Sequence, residues 1–236
     1  MVKNVLVAFD FDNTLIAENS DLYVRKLAPQ PGVIPEDIKK LYTDHGWTKY
    51  MGAIFRYLHD NGTTPKQIRS CMEEIPFVNG MQELLTFMQD SGRFDVIIIS
   101  DSNLVFIDHI LKASQLDATV QKVYSNPAFF NGDGCLSVAY YHTQDWCKIS
   151  TVNMCKGHIL ESHIADHSKT ETPYDVVAYV GDGTNDLCPS LRLTSKDFLF
   201  PRKGYSLMKE IAKAKLSAKV VPWDTGFDIM EVLKAI

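Results

Sequence analysis

An α/β class, a doubly wound parallel sheet with a helical insert after its first strand, is what this 236-residue sequence predicts. Three observations carry that expectation. The apolar runs Val5 to Phe9, Phe94 to Ile99 and Tyr174 to Val180 have the length and β-branched content of strands buried on both faces. From Gly80 onward they alternate with segments whose apolar residues recur at helical spacing. Residues 18–76 carry helical signals and no convincing strand, so they interrupt the alternation.

In chain order, the first strand ends at Asp10-Phe11-Asp12-Asn13-Thr14. Glu18 to Asp21 offers capping residues for a short helix through Leu22, Val24 and Leu27, and Pro29, Pro31-Gly32 and Pro35 punctuate a loop. Pro35 sits at a first helical position for Glu36 to Thr43. Trp47, Met51, Ile54, Phe55 and Leu58 outline a helix closed by Asp60-Asn61-Gly62, with Trp47 expected in its packed face. Thr64-Pro65 opens the next helix, which stops before Pro76. Met81, Leu84, Leu85 and Met88 mark the helix before the second strand, which ends at Ser100-Asp101-Ser102-Asn103. A helix through Phe106 to Leu111, a strand at 120–124 and a hairpin turn at Asn131-Gly-Asp-Gly134 follow, while 139–153 reads as irregular. Lys156 opens a helix, the strand to Val180 ends at Gly181-Asp182-Gly-Thr-Asn-Asp186, and short strands at 198–200 and 219–221 with helices at 205–213 and 226–234 complete the sheet.

Composition narrows the function classes. Net charge is −5 with no long basic run, which argues against nucleic acid as a partner, and no apolar stretch approaches a membrane span. The first residues run directly into a strand, leaving no room for a targeting peptide. The five cysteines are an odd number without CxxC spacing, so neither a disulfide framework nor a zinc site is expected, and the default location is cytoplasmic. The seven histidines show no ligand-like pairing, and Cys188 reads as a buried helix residue. Nothing in the sequence speaks to oligomeric state.

Three strand tips therefore carry polar clusters: Asp10/Asp12/Thr14, Ser100/Asp101 and Asp182/Asp186, with Lys156 at a helix start between the last two. A buried strand has no use for carboxylates at its end, because unpaired buried charge is costly. Period-2 alternation directs Asp10 and Asp12 the same way. Acids converging there repel unless a cation intervenes, and hard oxygen ligands with room for water and phosphate suit Mg²⁺. Phosphoryl transfer follows as the chemistry. Asp10 is then the nucleophile that forms an aspartyl-phosphate, and Asp12 protonates the leaving oxygen and later deprotonates the attacking water. Ser100 and Lys156 hold phosphate oxygens, Asp182 anchors the metal, and Asp186 acts behind it by orienting Lys156 or a metal water.

These four motifs, in this order, resemble those of the haloacid dehalogenase (HAD) phosphatases. Asp10 to Asp21, Ile99-Ser-Asp-Ser-Asn103, Asn153-Met-Cys-Lys156 and Pro201-Arg-Lys-Gly-Tyr205 are similar further to the phosphoethanolamine/phosphocholine phosphatase family, which includes pyridoxal phosphate phosphatases. The resemblance implies a Rossmannoid core over 1–17 and 77–236, a helical cap over 18–76, and Asp12's backbone carbonyl joining Asp10 and Asp182 around the metal. It also implies that Asp21 and Asp101 recognise a cationic leaving group on a small phosphorylated metabolite. Each of those two acids also has a plain structural reading, as a helix cap. The alternatives are a pyrophosphatase or phosphomutase on the same scaffold, and a phosphate-binding regulatory module, which has no need of an acid at nucleophile plus two.

Overall fold

The computed structural model describes residues 4–43 and 46–236. The reading that the chain enters its first strand from its very first residues extends to residues 1–3, which lie outside the described ones. Strand β1 (Val5–Phe9) is wholly buried and sits in the middle of a six-stranded sheet. It is flanked in parallel by β2 (Phe94–Asn103) and β6 (Val176–Gly181), while β3 (Lys122–Asn126) extends one side and β7 (Phe198–Pro201) and β8 (Lys219–Val220) extend the other. Five apolar residues in a row form a strand here because both faces of the sheet are covered. One layer of packing gathers Val5, Val7 and Phe9 with the helical insert, and the other gathers Leu6 and Ala8 with Ile159 and Leu160.

The strand order reverses direction at β1, and in open α/β sheets ligands settle at such a switch, outside the carboxyl ends of the strands. Register decides which residues meet there. Phe9 pairs with Ile98 and with Val180, so Asp10, Ser100 and Asp182 emerge at nearly the same level of three adjacent strands. β2 runs on through Ser100 to Asn103, four residues past the expected Ile99, with a register shift between Ser100 and Asn103. Such an irregularity breaks the two-residue alternation. It lets Ser100, Asp101 and Ser102 all face one cleft.

Between β1 and β2 the chain is helical. α1 (Ser20–Tyr23) continues as a 3₁₀ turn over Val24–Leu27, and α2 (Glu36–Lys39) is shorter than the stretch to Thr43 that Pro35 predicts. α3 (Trp47–Asp60) buries Tyr50, Met51, Ile54, Phe55 and Leu58 on one face. α4 (Pro65–Glu73) opens on a capping box between Thr64 and Gln67, with proline at its first position. α5 (Met81–Ser91) then leads into β2. The ends of the helical stretch pass side by side. Ile16 bridges Phe77, the Ala17 amide donates to Pro76 O at 2.8 Å, and the Val78 amide donates to Leu15 O at 2.9 Å.

After α6 (Leu104–Ala113) and β3, an antiparallel hairpin of β4 (Ala128–Phe130) and β5 (Leu136–Val138) leans on α3, where the Cys135 thiol reaches Phe55 O. Residues 139–155 hold no helix or strand. α7 (Lys156–Thr170), α8 (Leu187–Ser190), α9 (Ser206–Ile211) and α10 (Gly226–Lys234) complete the layers. Among the described residues, no helix is long and apolar enough to cross a membrane.

Candidate active site

A cavity of about 180 Å³ opens at the strand tips. Larger hollows, of about 630 and 770 Å³, lie elsewhere but hold none of the strand-tip acids, so volume alone does not locate the site. All three clusters expected from sequence line it: Asp10 and Asp12 from β1, Ser100 and Asp101 from β2, and Asp182 from β6.

The deep end is built around Lys156. Its ammonium lies 2.9 Å from Asp10 Oδ1 and 2.8 Å from Asp186 Oδ1, and it is 1 % exposed. Burial alone discharges a lysine, but the charges of Asp10 and Asp186, with Asp101 further off, hold this one protonated well above its usual range. Asp10 also accepts the Phe11 amide at 2.7 Å. Burial and the neighbouring Asp186 charge nonetheless raise its carboxyl well above the ordinary carboxylate range, against the pull of Lys156. Asp182 rises to about 7 for the same two reasons, with Lys156 and the Thr14 hydroxyl, 3.2 Å away, working against them.

Asp186 touches everything behind the cleft. It accepts from Lys156, from the Tyr179 hydroxyl at 2.7 Å, and from the Asp182 and Gly183 amides at 3.0 and 2.9 Å. A Cβ at position 181 would lie 2.5 Å from this carboxylate, so glycine is required for the turn to close. Asp10, Asp182 and Asp186 bring carboxylate oxygens within 4.8 Å of one another. Three acids against one ammonium leave a buried negative excess made of hard oxygen donors, and that donor set fits a divalent cation such as Mg²⁺.

Asp12 sits one step outward, half-buried, with Oδ1 taking the Ser20 amide at 2.9 Å. Burial pushes it up to about 6, opposed by the Ser20 amide and hydroxyl. The turn between Asp12 and Thr14 depends on Asn13 at φ +54°, a conformation asparagine tolerates, and Arg202 Nη1 donates to its carbonyl.

The outer end differs in kind. Asp21 is 4 % exposed and accepts the Trp47 indole N–H at 2.7 Å. Burial first, then the charges of Asp12 and Asp101, push Asp21 up to about 8. Asp101 accepts Asn153 Nδ2 at 3.0 Å and Asn185 Nδ2 at 2.8 Å. Neither acid caps a helix. Asn19 caps α1 through the Leu22 amide and Asn103 caps α6 through the Phe106 amide, which leaves Asp21 and Asp101 to the cleft. Among the described residues, no Lys, Arg or His nitrogen comes within 4.0 Å of either one.

Trp47, expected in the packed face of its helix, does pack against the core, and it also lines the cavity, which its spacing did not show. Helical spacing marks the buried face of α3 but does not reveal that its first residue overhangs the cleft. Tyr179 and Asn185 were missed as well. Tyr179 is hidden inside an apolar strand, and Asn185 lies one residue from an acid that drew the attention.

A family model described as "Putative Phosphatase" matches residues 5–236. The Homo sapiens protein named "Pyridoxal phosphate phosphatase PHOSPHO2" is 38% identical, over 98% of this chain and 97% of its own length. The Homo sapiens "Phosphoethanolamine/phosphocholine phosphatase" is 35% identical, over 98% and 90%. Among solved structures, a HAD family hydrolase from Salmonella enterica serovar Typhi aligns with a TM-score of 0.65 at 19% identity, covering 97% of this chain and 70% of its own. A phospho-aspartyl intermediate analogue of phosphoserine phosphatase aligns at 0.63 and 15% identity, over 99% of both chains.

Proposed function

We propose, from the premise that this chain belongs to the "Putative Phosphatase" family and is a phosphoric monoester hydrolase of the HAD fold, that it removes phosphate from small metabolites whose leaving group is cationic. The observation carrying this reading is the pair Asp21 and Asp101, two acids at the mouth of the cleft whose side-chain hydrogen-bond partners among the described residues are neutral N–H donors. A positively charged leaving group supplies the missing partner, and an anionic one is repelled. Phosphoethanolamine, phosphocholine, pyridoxal phosphate and thiamine monophosphate all fit the class.

In this scheme residues 18–76 form a cap over a core made of 1–17 and 77–236. The hairpin β4–β5 supports the cap through α3. Asp10 is the nucleophile, attacking phosphorus in line with the leaving oxygen to give an aspartyl-phosphate. Asp12, pushed up to about 6, is protonated in part near neutral pH; it gives a proton to the leaving oxygen and takes one from the water that splits the intermediate. Lys156 holds phosphate oxygens and is itself aimed by Asp186. Ser100, 1 % exposed with its hydroxyl accepting the Ser102 amide at 3.2 Å, offers its own O–H to a further phosphate oxygen. The carboxylates of Asp10 and Asp182, with the backbone carbonyl of Asp12, would hold Mg²⁺, which when bound neutralises charge on the transferring phosphoryl group. The cytosol is the compartment that suits the five free thiols.

The test is a kcat/KM panel with Mg²⁺ over those four esters and pyrophosphate. The expected result is turnover of one or more of the four at least tenfold above pyrophosphate. A preference for pyrophosphate would overturn the proposed leaving-group class and favour the pyrophosphatase alternative.

A further inference from the structure

The irregular segment before α7 ends in chemistry that the cleft does not use. Cys147, Cys155 and Cys188 are far apart in sequence and lack CxxC spacing, yet their sulfurs converge within 4.8 Å of one another. Cys147 Sγ lies 3.5 Å from Cys188 Sγ, and Cys155 Sγ lies 3.7 Å from Cys188 Sγ. Thiolates bound at about 2.3 Å around a tetrahedral Zn²⁺ stand about 3.8 Å apart, close to both separations. A disulfide uses only two of the three sulfurs and leaves the third without a role.

The surroundings are built for the cluster. The side chain of Gln144 is 4 % exposed and clamps the loop: its Nε2 donates to the carbonyls of Cys147, Ser150 and Thr151, and its Oε1 accepts the Cys147 amide at 2.8 Å. The Ser150 hydroxyl donates to Cys155 Sγ at 3.4 Å, the kind of outer hydrogen bond that steadies a metal-bound thiolate. On the helix side, a Cβ at position 157 would lie 2.6 Å from Cys188 Sγ, so α7 carries glycine where the thiol must approach.

We infer that Cys147, Cys155 and Cys188 form a structural site for a soft divalent cation of the Zn²⁺ class. Binding releases the three thiol protons to solvent and makes three metal–sulfur bonds. Three sulfurs exclude Mg²⁺ as the occupant, so the site is chemically separate from the oxygen-lined cleft. Its place in the fold gives it a task. Cys155 immediately precedes Lys156, and Cys188 follows Asp186 by two residues. A metal there would pin the loop to the start of α7 and to α8.

The test uses the full-length, fully reduced protein, loaded with equimolar Zn²⁺ in excess Mg²⁺ and then dialysed. Elemental analysis is expected to find about one zinc per chain, falling at least tenfold in C147S, C155S and C188S and unchanged in C71S, which alters a buried thiol outside the cluster. Zinc-free wild type, or serine variants that retain as much zinc as wild type, would overturn the inference. Because a serine variant can fail to fold, Co²⁺ loading of the wild type supplies a second reading: thiolate-to-cobalt charge-transfer absorption is expected, and its absence overturns the site. A stable Cys147–Cys188 disulfide in the intact mass, with no zinc uptake after reduction, overturns it too.

Discussion

The two ends of one cleft handle negative charge in opposite ways. At the deep end Asp10 and Asp186 share a lysine buried with them, Asp182 has a hydroxyl, and a metal-compatible set of oxygens remains. At the mouth, Asp21 and Asp101 are held by an indole and two amides, with no basic nitrogen within 4.0 Å among the described residues. The deep end is organised before substrate arrives, as phosphoryl transfer requires, because its catalysis is mostly positioning and charge neutralisation. On the proposed reading the mouth is left electrostatically unfinished, and a cationic substrate would complete it. In this proposal, chemistry and selection thus fall to different residues of one cleft.

The sharpest way to break this contrast is at the deep end. Asp10→Asn is expected to lower kcat by about 10⁴ or more on every substrate while leaving the circular dichroism spectrum unchanged. Substantial remaining turnover with Mg²⁺ would remove Asp10 from the nucleophile role. At the mouth the effect should be smaller and selective. Asp21→Asn is expected to cost about 10- to 100-fold in kcat/KM on a cationic substrate, the range of about 1.5–3 kcal/mol for a charged hydrogen-bonding partner, and less than about threefold on p-nitrophenyl phosphate. A uniform loss across both substrates would assign Asp21 a structural role instead.

Acidity sharpens the comparison further. Burial and the neighbouring acids raise Asp21 to about 8, so it binds a cation poorly while protonated. The kcat/KM for a permanently cationic ester such as phosphocholine should therefore climb as pH rises toward 8, and that limb should vanish in Asp21→Asn. Stability follows the opposite sign. A carboxyl raised in the folded state favours folding below its unfolded value of about 4 and loses that advantage as pH rises through about 8. The melting temperature of Asp21→Asn should gain on wild type between pH 5 and pH 9, and a constant difference would contradict the shift. The smallest expected effect belongs to Trp47→Phe. Losing the indole donor removes a bond that favours ionised Asp21, so the pH limb should move upward by less than about one unit with a KM increase of a few-fold.

Much of this was legible from the chain alone, for a definable reason. Apolar runs that end in acids announce buried strands with a site at their tips, since a charge at the end of such a strand is costly unless it has work to do. That logic singled out Asp10, Asp12 and Asp182, which the structure brings to one cavity, and it predicted the α/β sheet with its helical interruption; Lys156, at a helix start, came instead from its place among the resembling motifs. What the sequence could not decide depends on three-dimensional approach. Asp21 and Asp101 each stand near a helix start, where an acid can cap, and only the structure gives the capping to Asn19 and Asn103. Trp47 keeps helical spacing, and only the structure shows its indole at the cleft, bonded to Asp21. Cys147, Cys155 and Cys188 follow no motif, because their meeting depends on where a loop crosses the start of α7 and the turn into α8. Local patterning encodes burial and secondary structure, so it determined the strands and the acids at their ends. The partners of Asp21, Asp101 and the three thiols come from distant segments brought together by packing, and tertiary structure alone decided them.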